Sequence, residues 1–239
     1  MSGERLSELV ALYHGDCIAL NPSPNDFAAV VTDPPYGMDW DTDSKRFSGG
    51  NRGHRRPGEG RDDWGAIQGD ADPFDPSPWL SFSKVVLFGA NHFWNRLPSG
   101  SAFVWIKRND QAFGSFLSDA EIAWVKGGQG VYCHRDLSMN AEAMSRAHPT
   151  QKPVGLMRWC IRRLKLPPGS RILDPYAGSG TTAIAAMLEG HHCTLIEKDA
   201  AHCETIRRRV KAEVDRLSVT LFGDLTKSET PDLFTGVLS

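Results

Sequence analysis

The tetrapeptide Asp33-Pro34-Pro35-Tyr36 brings a carboxylate, rigid carbonyl groups and an aromatic face into one short turn. Two consecutive prolines fix two φ angles and remove two N–H donors, so the backbone is stiff and its carbonyl oxygens meet little competition. Such a turn suits a planar ring bearing an exocyclic amino group: Asp33 and the Pro34 carbonyl can accept its two N–H bonds while Tyr36 stacks on the ring. Taken alone, the four residues could also be a plain Pro-rich turn capped by Asp33. A second such stretch, Asp174-Pro175-Tyr176-Ala177-Gly178-Ser179-Gly180-Thr181-Thr182, is a glycine-rich turn. Its glycines let the backbone approach a ligand, and the helix that follows offers free N–H groups. Glu197 lies 23 residues after Asp174. An acid about 20 residues past a strand-to-helix glycine turn is the arrangement that binds ribose hydroxyls.

These residues need elements to position them. Phe27 to Thr32 is a short apolar run with β-branched residues and reads as a buried strand. Asp33 therefore stands at a strand's carboxyl end, where open α/β sheets place their ligands. Leu9 to Tyr13 reads as a first strand ending at His14-Gly15-Asp16-Cys17, which puts Asp16 in the same kind of place or in a simple Gly-Asp turn. Around the glycine turn, Arg171 to Leu173 is a short strand, Ala183 to Leu188 a helix apolar all round, and His192 to Ile196 a second strand ending at Glu197. Val85 to Phe88, Ala102 to Ile106 and Ile122 to Val125 are further strands, close enough in sequence to be neighbours in one sheet.

His148-Pro149-Thr150-Gln151-Lys152-Pro153 precedes a helix whose Val154, Met157, Ile161 and Leu164 keep the spacing of a buried face. Its polar residues can hold a carboxylate or merely start the helix. In the last helix Cys203, Ile206, Val210, Val214 and Leu217 trace an apolar face. Arg207, Arg208, Arg209 and Lys211 read as its solvated surface.

Between these elements two stretches lose all apolar period. Residues 39 to 76 are rich in Gly, Asp and Arg, and Lys45, Arg46, Arg52, Arg55, Arg56 and Arg61 face only Glu59 among acids between 45 and 61. A long basic loop directly after Tyr36 reads as a mobile flap for phosphates, or as solvated disorder. The polar segment from 127 to 147, with Arg135, reads as a small recognition insert or a long connection. No linker divides the 239 residues, so one domain is expected over 1–239. A net charge of −2 does not announce a nucleic-acid binder, but a local basic surface suffices near a cleft. Five scattered cysteines in no CxxC pair fit a reducing cytoplasm. His191, His192, Cys193, His202 and Cys203 do not have the spacing of a structural zinc site, and no metal is expected. No run of about 18 apolar residues occurs, so a soluble, cytoplasmic protein away from membranes is expected.

Together the motifs resemble the amino-group DNA methyltransferases of the circularly permuted β class. The order matches: Gly15-Asp16, then Asp33 to Tyr36, a recognition region, His148 to Pro153, and last Asp174 to Thr182 with Glu197. Leu87 to Asn91 and Trp105 to Lys107 also resemble the family's intervening strands. Tyr176 stands where the family usually has Phe, and the recognition region is short. The resemblance implies a Rossmann-like α/β fold with a seven-stranded, mostly parallel sheet and helices on both faces. It implies S-adenosyl-L-methionine as cofactor, with Glu197 at the ribose hydroxyls, Asp16 at the adenine amino group, Gly178 to Thr182 on the methionine side, and Cys17 and Lys198 also in the pocket. Asp33, Asp174, Tyr176, Ala177, His148, Thr150, Gln151 and Lys152 complete that pocket. Asp33, Pro34, Pro35 and Tyr36 would be catalytic, and Lys107 and Arg135 would join the basic loop on DNA. The implied reaction is direct methyl transfer to adenine N6 of a flipped base, with cytosine N4 the nearest alternative. A protein glutamine amide and a binding module without turnover are the other readings. A homodimer and a cognate restriction endonuclease stay open as partners.

Overall fold

The computed structural model describes residues 3–37, 72–114, 118–137 and 151–225, with side chains described as far as residue 219. Lys45, Arg46, Arg52, Arg55, Arg56, Arg61, His148 and Thr150 therefore lie outside the described residues, as do most of the basic loop and the end of the recognition insert.

The strands are β1 (Glu4–Arg5), β2 (Val10–His14), β3 (Ala29–Thr32), β4 (Val85–Phe88), β5 (Gly100–Ile106), β6 (Ala120–Arg135), β7 (Arg171–Asp174) and β8 (His192–Glu197). They form one sheet in the order β1-β2-β8-β7-β3-β4-β6-β5. The five strands from β2 to β4 run parallel, β6 enters antiparallel beside β4, and β1 pairs antiparallel with β2. The sheet thus has eight strands where seven were expected, the addition being the two-residue edge strand β1. Ligand-binding turns in such a sheet gather at the carboxyl edge of the parallel strands, and β3, β7, β8 and β2 end there side by side.

Among the described residues four helices accompany the sheet: α1 (Cys17–Leu20), α2 (Val154–Arg163), α3 (Thr181–Leu188) and α4 (Ala200–Leu225). Alternation along β3 sends Ala29 and Val31 to one face and Val30 to the other. On the first face Leu156, Met157, Cys160 and Ile161 of α2, Ala183, Ala185 and Ala186 of α3 and Ile206 and Val210 of α4 complete the core. The second face is covered differently. Apart from the single turn of α1, it is closed by 3-10 turns and by Phe74, Trp79, Phe82 and Phe93, which pack on Val85, Leu87 and Trp124. Large aromatic rings let short irregular segments cover as much sheet as a helix would, each buried ring contributing on the order of 2–3 kcal/mol.

The insert expected from residue 127 begins instead as strand. β6 turns back on itself at Gly127 and Gly128, whose φ angles of +83° and +69° only glycine takes readily. Its first half runs antiparallel to β5, from Ser101 opposite Val125 to Ile106 opposite Ala120. Its second half runs along β5 in the same direction, from Ala102 opposite Val131 to Ile106 opposite Arg135. The residues of this half are largely exposed, Val131 and Tyr132 included, so no buried apolar run marks it as strand. Cys193 and Cys203, two of the residues weighed for zinc, are buried in the first core.

Candidate active site

The turn Asp33–Tyr36 leaves β3 at the sheet's carboxyl edge. β7, beside β3, ends at Asp174, and the two strand ends are joined directly: Thr32 Oγ1 donates to Asp174 Oδ1 at 2.6 Å, across 142 residues of sequence. Both residues are buried, Asp174 being 3% exposed. The Tyr176 N–H also donates to Asp174 Oδ1, at 3.2 Å. Burial pushes the Asp174 carboxyl up to about 6, against hydrogen bonds from Thr182 and Thr32 that favour the charged form.

Asp33 sits in a chain of charges. Its Oδ2 is 2.5 Å from Lys152 Nζ, Lys152 is 3.1 Å from Glu121 Oε2, and Lys107 is 2.9 Å from Glu121 Oε1. Lys152, in the segment leading into α2, is 6% exposed and lies 5.4 Å above the Phe88 ring. Burial alone would depress its pKa, but the Asp33 and Glu121 carboxylates outweigh burial and hold it well above its ordinary value. Burial raises Asp33, opposed by Lys152. Glu121 is lowered because Lys152 and Lys107 together outweigh its desolvation. The Tyr36 hydroxyl donates to Asp33 Oδ1, and the Tyr36 ring stacks on His92, centroids 4.8 Å apart and planes 13° apart. Burial and the neighbouring Asp33 charge keep that phenol protonated.

The glycine turn is pinned from two sides. Glu197 Oε2 accepts from the Gly178 N–H at 2.7 Å and Oε1 from the Asp199 N–H at 2.8 Å, leaving further lone pairs on both oxygens. From α4, Arg209 Nη1 donates to the Ser179 carbonyl at 2.5 Å and to Thr181 Oγ1 at 3.1 Å. Gly178 has φ +50° and open space where a Cβ would project, whereas a Cβ on Gly180 (φ +76°) would press on Ile206 at 3.0 Å. Thr181 and Thr182 open α3, and Ala177 and Ser179 are buried. Asp16 caps α1, its Oδ1 accepting from the Ile18 and Ala19 N–H groups, which hold its carboxyl below the usual range despite partial burial. Its Oδ2 is 3.3 Å from Lys198 Nζ, and the Gly15 N–H donates to the Glu197 carbonyl at 2.8 Å, so β2 and β8 present their acids together. Tyr176 packs edge-on to Phe74 and Trp79 and lies beside Cys17. Burial raises the Cys17 thiol to about 11.

Two groups of expected site residues therefore assemble on one edge: Asp33, Pro34, Pro35 and Tyr36 after β3, and Asp16, Cys17, Asp174 to Thr182, Glu197 and Lys198 around β2, β7 and β8. Lys152 and Gln151 are buried, but the Lys152 ammonium is committed to Asp33 and Glu121. Lys107 joins the same chain through Glu121, and Arg135 pairs with Asp110 on an exposed stretch. Glu121, His92 and Arg209 are members of the assembly that motif reading passes over. No group of His, Cys, Asp and Glu with metal-holding geometry occurs among the described residues. Among those residues no helix is long and apolar enough to cross a membrane.

The chain's likenesses agree with this layout. M1.HpyAVI, solved as a complex with SAM, aligns at TM-score 0.52 and 17% identity over 84% of this chain and 99% of its own. TTHA0409, a DNA modification methylase by its description, from Thermus thermophilus, aligns at 0.54 and 17% over 85% and 94%. The cytosine-N4-specific PvuII DNA methyltransferase aligns at 0.50 and 13% over 88% and 93%. The fold is thus the Rossmann-like α/β fold of the methyltransferases. Residues 123–208 match the N6_N4_Mtase family model, described as DNA methylase. The type II methyltransferase M2.DpnII of Streptococcus pneumoniae is 27% identical over 117 residues, 48% of this chain and 43% of that protein, so the match spans less than half of the relative. Over these stretches the chain is similar to DNA methyltransferases.

Proposed function

We propose that this protein transfers a methyl group from S-adenosyl-L-methionine to the exocyclic N6 amino group of adenine in DNA, and that its motif order makes it a member of the circularly permuted β class. The observation that carries this reading is the Thr32–Asp174 hydrogen bond, which sets the turn suited to an amino group beside the turn suited to a nucleoside. Had the two opened on opposite sides of the sheet, no methyl could pass between them.

The residues present fit the cofactor. Glu197 retains lone pairs for ribose hydroxyls, Gly178 leaves open space beside them, and Asp16 stands at the neighbouring strand end. When bound, S-adenosyl-L-methionine supplies an electrophilic methyl group. The chain supplies the rest. An exocyclic amine is a poor nucleophile because its lone pair is delocalised into the ring. Asp33 and the Pro34 carbonyl, accepting its two N–H bonds, favour a more tetrahedral nitrogen and stabilise the positive charge that develops on it. The Lys152 ammonium orients the Asp33 carboxylate, and Tyr36 offers a face for a base that must leave the duplex to reach the turn. Asp at the first position of the tetrapeptide favours adenine over cytosine within the class.

Two measurements test the reading. Asp33→Ala should abolish transfer while leaving cofactor affinity within a few-fold; a large loss of cofactor binding would mean the two turns are misassigned. Nucleoside analysis of DNA after incubation with labelled cofactor should place label in N6-methyladenine, and label in N4-methylcytosine alone would overturn the choice of base.

A further inference from the structure

On the reading just given, a flipped base stacks on Tyr36, yet a planar face of Tyr36 already has an occupant. His92 lies on it at 4.8 Å with the ring planes 13° apart, close to parallel. The other surroundings of the ring are tight. Gly89, at φ +70°, is pressed so near that a Cβ there would fall 1.9 Å from Cε1, 2.4 Å from Cζ and 2.5 Å from Cδ1. The phenol oxygen is tied to Asp33. The imidazole itself is exposed, carried by the 3-10 turn Ala90–His92 at the end of β4. At 4.8 Å the two rings leave no room for a third between them, because each aromatic layer needs about 3.5 Å on either side.

We propose that His92 is a positioning residue that keeps the target base's seat on Tyr36 and yields it when the base arrives. The imidazole is planar, aromatic and polar at its edge, as a nucleobase is, so it occupies the face the base would take. Its exposed position lets it turn out to solvent without disturbing the core. The cost of breaking the His92–Tyr36 stack is then taken from the free energy of base binding, which favours bases that are readily unstacked or form the full set of contacts with Asp33 and Pro34.

The test uses the whole protein, tritiated S-adenosyl-L-methionine and unmethylated genomic DNA, which contains every recognition sequence. His92→Ala removes the competing ring, and the KM for DNA should fall by about 2- to 10-fold, the span expected for loss of one aromatic pair. His92→Phe keeps the stack and should hold KM near or above the wild-type value. A KM that is unchanged or raised in His92→Ala, or lowered equally in His92→Phe, overturns the proposal while leaving the DNA reading intact. Wild-type protein that labels no DNA overturns that reading and the proposal with it.

Discussion

Asp174 gives the most direct test of the site's energetics. Its carboxyl is 3% exposed and its pKa stands at about 6, against an ordinary value of 3.8. The difference is about two pH units at about 1.4 kcal/mol each, so holding the charged form at pH 8 costs the folded protein about 3 kcal/mol. Because the folded value is the higher one, the stabilisation from protonation is complete below about pH 4 and lost as pH rises through about 6. Asp174→Asn removes the titration while keeping an oxygen for the Thr32 hydroxyl and the Tyr176 N–H, and the Thr182 hydroxyl can turn to accept from the new amide. The variant should therefore exceed wild type in stability by about 3 kcal/mol at pH 8, with the advantage shrinking toward pH 4. Urea unfolding followed through Trp79, Trp105 and Trp124, all buried, measures it. Taking the difference between variant and wild type cancels other titrations, such as that of His202, which its Glu197 partner raises. A difference that does not change between pH 4 and pH 8 would refute the reasoning. Cofactor binding by the same variant should be weaker, as expected where a site keeps a costly charge for function.

The other predictions concern the groups that hold the two turns. Lys152→Met leaves the Asp33 and Glu121 carboxylates without their shared ammonium. Breaking a buried pair on one side costs about 3–5 kcal/mol, and the partial exposure of both acids puts the expected loss at the low end. A loss below about 1 kcal/mol in urea titration at pH 7 would show the pair to behave as a surface one. Arg209→Met frees the Ser179 carbonyl and Thr181, and calorimetry should find cofactor affinity reduced about tenfold, with partial recovery in Arg209→Lys. Unaltered affinity would return Arg209 to the solvated face of its helix.

What the sequence disclosed and what it hid divide along the range of the forces involved. The strands that carry Asp33, Asp174 and Glu197 were readable because a buried parallel strand is a short apolar run, and the acid just after it is then at the ligand edge by geometry alone. The continuation of β6 leaves no such mark: Gly127-Gly128 lets the chain reverse, but the two halves pair with opposite edges of β5 and not with each other, and the exposed half carries no buried apolar run. The ion chain is different in kind. Lys152 and Asp33 are 119 residues apart and Glu121 immediately precedes an apolar strand run, so no local pattern pairs them. Arg209 lies between these cases. It sits in a basic run that reads as solvent-facing, yet it is three residues after Ile206, and positions three apart share a helix face. Ile206 is the residue against which Gly180 packs, so that spacing alone aims Arg209 at the glycine turn. A guanidinium there can satisfy a turn carbonyl that the short α3 leaves outside its own ladder, whereas a lysine offers a single point of charge without the planar fork. The basic residue next to the buried face of α4, and not the most exposed of the run, is thus the one that bears on the site.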